Sequence, residues 1–198
     1  MSVFTLHLVD RIGSVSRTSE IAFWNAAMRS MIQNELQQLF NRVVNDPRAR
    51  PVSSARVLWT NHSGGVGPAD LVVYFSTDRA HGVTQRVAAQ AAQHSHTGQT
   101  LLGDSAGIVS EVYVSGHLQV GGFDSLGTRQ KASLFAKGAF HECMHNKLYP
   151  LNIHTGGGGG LASATLSYDF GLVARNIDLM APALQVAAPQ NTAHMGRR

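Results

Sequence analysis

The segment His141-Glu142-Cys143-Met144-His145 is where residue types and spacing in this chain could do chemistry. On a helix, side chains four apart lie on one face about one turn from each other, so His141 and His145 can aim two imidazoles at one divalent ion. Glu142 then projects from the neighbouring side of the same turn. It is close enough to take a proton from water activated by the metal without being a ligand, the division of labour this pattern serves in zinc enzymes. A chain of this composition contains the pattern by chance roughly 0.01 times. Cys143 faces elsewhere on the turn and reads as a small buried hydrophobe, not a nucleophile.

A catalytic zinc normally takes three protein ligands and keeps one position open. No Glu follows Glu142, so a downstream glutamate cannot complete the site; His154, Asp169, Asp178 and His194 remain as candidates. His94 and His96, with Asp104 nearby, form a second possible cluster, in a stretch that reads as a polar loop. The glycine run 156–160 resembles a phosphate cradle only in glycine content, having no Lys-Ser/Thr after it. It is expected to be a flexible flap or connector beside the site.

These residues need elements to hold them. A helix over 128–148, with Thr128 as a cap and Phe135, Ala139, Phe140, Met144 and Leu148 on its buried side, would carry the motif, and Pro150 would end it. Residues 19–44 place apolar side chains three and four apart, from Ile21 and Trp24 to Phe40 and Val43, and predict a long packing helix closed before Asn45-Asp46-Pro47. Strands are predicted at 1–9, 55–61, 71–76 and 108–114, the second and third as neighbours across the turn-forming run 63–68. One more helical segment is expected at 174–184. Residues 79–105 give no firm pattern beyond an Ala/Gln-rich piece at 87–93. The expected organisation is one domain over 1–186, of the α+β class, followed by a flexible tail at 187–198.

Composition narrows the classes. With 198 residues and 43% hydrophobic content the chain can fill a core, and only 14% of residues are charged. The formal charge of +4 comes from arginines scattered along the sequence, so nucleic acid is not the expected partner. All three lysines (Lys131, Lys137, Lys147) cluster around the motif and are expected on a solvated helix face. A single cysteine excludes an internal disulfide framework. No basic segment followed by a long apolar run opens the chain, and no apolar stretch approaches membrane length. The expectation is no signal peptide or membrane span, and a cytoplasmic protein or one exported by a signal-peptide-independent route.

In residues 128–182 the sequence resembles the zincin peptidases and, more loosely, their metzincin branch. The matching elements are His141, Glu142 and His145, then His154 beyond the break at Pro150, then Met180 within residues 176–182. The chain departs from the branch pattern in having Leu148 and Leu151 where a glycine and the third ligand would stand, so its connection to His154 is longer. The resemblance implies a small mixed sheet with a long N-terminal helix, and zinc held by His141, His145 and His154, with Asp169 the alternative third ligand. Met180 would lie under the metal, and Tyr149 would be a supporting residue near it. It also implies hydrolysis of a peptide or protein substrate with Glu142 as general base, the substrate lying along an exposed strand edge, nominated as 107–116. The rival readings are a non-catalytic domain that metal merely staples, and a basic nucleic-acid-binding protein.

Overall fold

A computed structural model describes residues 1–12, 21–60, 67, 69–77, 97–101, 109–118 and 122–186. It is a mixed α/β fold built on a five-stranded sheet of order β2-β1-β3-β5-β4. β1 (Ser2–Asp10) lies between β2 (Val52–Trp59) and β3 (Leu71–Ser76), parallel to both. β5 (Val109–Tyr113) adds to β3, again parallel. β4 (Gly98–Leu101) closes the order at the far side and is the one antiparallel strand among the described residues. The expected adjacency of β2 and β3 is therefore corrected: β1 separates them. Two parallel strands need a long crossover, which α1 (Ala26–Val44) supplies between β1 and β2.

Each element follows from its pattern. β3 is buried at all six positions, as a strand interior to a parallel sheet must be. α1 buries Met28, Ile32, Leu36, Leu39, Phe40 and Val43 at helical spacing, each contributing about 1.5–3 kcal/mol where the side chain is fully removed from water. It begins at Ala26, later than expected, because the Asn25 side chain accepts the Met28 N–H and caps it, while the chain ahead turns through a Trp24-to-Ile21 bond. The outward side of β2 is covered from α1. Gln37 donates to the Ala55 carbonyl and accepts the Val57 N–H, both at 2.9 Å, and Gln33 donates to the Val57 carbonyl at 3.0 Å.

The motif helix, α3 (Thr128–Lys147), packs on α1 and on β4 and β5. Its N-cap is Gly127, not Thr128: the Gln130 side chain reaches back to accept the Gly127 N–H at 2.9 Å. Phe135, Ala139, Phe140, Cys143 and Met144 are buried as expected, with Phe140 against Phe40 of α1. The lysine expectation is overturned. Lys137 and Lys147 are buried, the first donating to the Tyr168 carbonyl, the second to the carbonyls of Ala69 (2.5 Å) and Val186 (2.7 Å). Their long stems are core material and their ammoniums bond main-chain carbonyls outside the regular elements, which takes two of the three lysines off the expected solvated face, while Lys131 is half-buried.

After α3 come a short helix, α4 (Ile153–Gly156), and α5 (Ala174–Ala183), the latter within one residue of its expected end. A further short helix, α2 (Val114–Leu118), follows β5 directly. No helix among the described residues is long and apolar enough to cross a membrane. The 87–93 piece, the His94, His96 and Asp104 group, His194 and the 187–198 tail lie outside the described residues.

Candidate metal centre

His141 and His145 stand one turn apart on α3, and their ring centroids are 4.7 Å apart. His154 comes from α4, where the Asn152 side chain caps the helix and accepts the His154 N–H. It stacks on His141 at 5.2 Å and meets His145 edge-on at 4.8 Å. One ring nitrogen from each of the three lies within 4.8 Å of the others. Three imidazoles thus converge from two segments that a helix end separates.

The ring orientations are held from behind. His141 Nδ1 is 2.7 Å from the Leu161 carbonyl and His154 Nδ1 is 3.3 Å from the Ala162 carbonyl. A carbonyl only accepts, so in each ring Nδ1 carries the proton and Nε2 is left with its lone pair. The Nε2 atoms of His141 and His145 are 3.1 Å apart. Zinc with bonds of about 2.0–2.1 Å in tetrahedral geometry separates its nitrogen ligands by about 3.3–3.4 Å, so this spacing fits the ion. The protonation states fit as well. Burial, more than any other cause, lowers His141 to about 4 and His145 to about 3, so both rings are neutral near pH 7 and able to ligate.

Glu142 points toward the sheet. Its Oε2 accepts the Thr100 hydroxyl at 2.6 Å, and Thr100 also lies 3.0 Å from the Glu142 carbonyl. Gly98 makes room for it, since a Cβ there would sit 2.7 Å from Glu142 Oε1 and 2.9 Å from the Glu111 carbonyl. Without a metal the carboxyl is pushed up to about 8, chiefly by burial. The Glu111 carboxylate raises it further, and the Thr100 hydroxyl pulls it back. Glu111 itself is buried and accepts hydrogen bonds from Ser76 and from Tyr113. A cleft of about 250 Å³ opens over the whole group, lined by Thr97, Gly98 and Thr100 on one side and Ala164 and Leu166 on the other.

The structure brings His141, Glu142, His145 and His154 together in that cleft. Asp169, the alternative ligand, is exposed, hydrogen-bonded through its side chain to Ser167, and outside the cluster. Asp178 pairs with Arg48 at 2.6 Å. Tyr149 stands exposed and is not among the described residues that line the cleft. Met180 is fully buried in the core, and Cys143 is buried with its thiol pushed well up by burial.

One further expectation is corrected and another is resolved. The nominated 107–116 edge contains β5, which is interior, flanked by β3 and β4; the edge beside the site is β4. Of flap and connector, the glycine run is the connector beside the site, joining α4 to Leu161 and Ala162. It is a closed loop whose Gly157, Gly159 and Leu161 are all bonded by Asn176. Thr100, Gly98 and Asn176 escaped sequence reasoning because short polar strands and isolated amides carry no periodicity; an Asn within an otherwise apolar helical face was the one available signal. Neither a protein-family model, nor a curated protein, nor a solved structure matches this chain.

Proposed function

We propose that this chain is a zinc-dependent peptidase of zincin-like architecture, with His141, His145 and His154 holding the metal and Glu142 as general base. The observation that carries the reading is the convergence of three imidazoles on one point beside the buried Glu142 carboxyl group, under an open cleft. A structural zinc site is closed by four protein ligands, whereas this cluster has three among the described residues and faces solvent-accessible space. That favours catalysis over a metal staple. The burial of Lys137 and Lys147 takes two of the three lysines around the motif away from any surface that could meet nucleic acid.

A zinc held by His141, His145 and His154 would supply Lewis-acid polarisation of a substrate carbonyl and would lower the pKa of water toward neutrality. The chain's own part follows from its geometry. Glu142 accepts the water's proton and passes it to the leaving amine, and Thr100 holds the carboxylate in place for both transfers. His141 and His154 keep their Nδ1 protons on the Leu161 and Ala162 carbonyls, so their Nε2 lone pairs stay directed at the ion. The substrate is a peptide or protein segment in extended form. Among the described residues β4 is the last strand on its side of the sheet, and its outer edge can pair with such a segment through main-chain hydrogen bonds. Met180 beneath the metal belongs to the same proposal.

The test is digestion of a mixed peptide library by the zinc-loaded chain. Cleavage should appear, stop on chelation, return with zinc, and be absent from Glu142→Gln. A library left intact under every metal condition would overturn the proposal.

A further inference from the structure

We propose that Asn176 is a positioning residue for the metal centre, fixing the imidazoles of His141 and His154 through the glycine loop. This rests on the reading of the three histidines as a metal site.

Asn176 lies on the first turn of α5 and is completely buried. An asparagine amide offers two donors and one oxygen with two acceptor sites. All four are used. Its Nδ2 donates to the carbonyls of Gly157 at 2.8 Å and Gly159 at 3.1 Å, and its Oδ1 accepts the N–H groups of Leu161 and Val173, each at 3.2 Å. Saturation also fixes which way the amide points, since the flipped amide would set donor against donor and acceptor against acceptor.

The loop so gripped needs its glycines. Gly158, Gly159 and Gly160 have φ of +77°, +78° and +56°, the left-handed region side chains avoid. A Cβ at Gly157 would come within 2.3 Å of the Ala162 Cβ. A backbone forced into this path would relax if it were not bonded across, and Asn176 supplies the cross-bonds.

What emerges from the loop is the inner support of the metal centre. Its last two residues, Leu161 and Ala162, present the carbonyls that receive His141 Nδ1 and His154 Nδ1. The same Leu161 that gives its N–H to Asn176 presents its carbonyl to His141, so a single residue relays the position of the amide to the ring. Partners of this kind behind a ligating histidine typically change metal affinity about 10–100-fold when lost.

The experiment compares zinc affinity, by competition with a chromophoric chelator, and the visible spectrum of the cobalt-loaded chain, across four proteins. Asn176→Asp keeps the acceptor oxygen and loses both donors. It should bind zinc about 10–100-fold more weakly and change the cobalt spectrum. Gly158→Ala distorts the same loop from an exposed position, where the new methyl meets Arg175, and should weaken zinc in the same direction even if Asn176→Asp fails to fold. Val57→Ala, a cavity in the strand at the other end of the sheet, should lower the melting temperature and leave zinc affinity and spectrum unchanged. Asn176→Asp and Gly158→Ala binding zinc as tightly as the parent, or Val57→Ala losing as much, would overturn the role of Asn176 alone. A parent that takes up no zinc would overturn the metal reading and this inference with it.

Discussion

The two edges of the sheet are treated in opposite ways. At β2, the outward backbone groups of Ala55 and Val57 are bonded by Gln33 and Gln37, side chains reaching across from α1. At β4, the residues of the strand instead line the cleft, with Gly98 and Thr100 touching Glu142. An open strand edge invites pairing with another chain, and proteins usually cover it. Here one edge is covered by amides that mimic a further strand, while the other adjoins a carboxylate and three imidazoles. The difference separates a β2 edge closed by side chains of α1 from a β4 edge beside the candidate site, which is where the proposed function puts an extended peptide.

Substitutions should separate those two edges, and the largest effect belongs to the β4 side. Glu142→Gln is expected to lower kcat by about 10²- to 10⁴-fold while the protein keeps its zinc, as read by turnover on a cleaved peptide and by metal analysis. An equal loss of zinc would mean that Glu142 is a structural residue and would break the contrast.

Acid should act beneath both edges together. His117 is fully buried on α2, with one ring nitrogen on the Tyr113 carbonyl and the other facing Gly138 of α3. Burial lowers it from 6.5 to about 4, the Tyr113 bond opposing the shift only in part. The unfolded chain therefore binds more protons than the folded chain between those values. The contribution of the neutral ring is fully present above pH 6.5 and is lost as pH falls toward 4, by about 3 kcal/mol in all. Chemical denaturation of zinc-stripped protein should show a shallower pH dependence for His117→Gln than for the parent over that window. Parallel curves would contradict the buried neutral ring.

Smaller effects sharpen the contrast. Gly98→Ala should cost about 1–3 kcal/mol of stability and depress turnover, because the added methyl overlaps Glu142 and the Glu111 carbonyl. Thr100→Val, which keeps the shape and removes the hydroxyl, should lower kcat about tenfold with KM and melting temperature little changed. Gln37→Ala should do the reverse, costing about 1 kcal/mol in urea denaturation with kcat intact. Turnover falling with Gln37→Ala would show that the edges are not independent.

How much of this could be read from residues alone differs between elements. Helix α3 was legible because His141, Glu142 and His145 lie within about one turn, where sequence spacing is spatial spacing. α5 and β3 matched closely, since long periodic or wholly apolar runs have few competing conformations. The pairing of strands was not legible. The turn-like run 63–68 suggested that the strands on either side of it are neighbours, yet β1 pairs in parallel with both and lies between β2 and β3. β4 was missed because Gly98, Gln99 and Thr100 are polar or featureless in sequence. Gly98 and Thr100 acquire meaning only once Glu142 lies against them. His154 was reached through resemblance, and what holds it, the Ala162 carbonyl at the end of a loop that Asn176 closes, is a tertiary arrangement with no local signature. The lysines misled for a related reason: a long stem and a charged head can be core and cap at once.

The most direct test of the whole account is a calorimetric zinc titration of the stripped chain alongside His141→Ala, His145→Ala and His154→Ala. The account predicts one zinc per chain for the parent and much weaker binding in all three variants. No saturable binding by the parent, or a His154→Ala protein that binds as tightly as the parent, would contradict it.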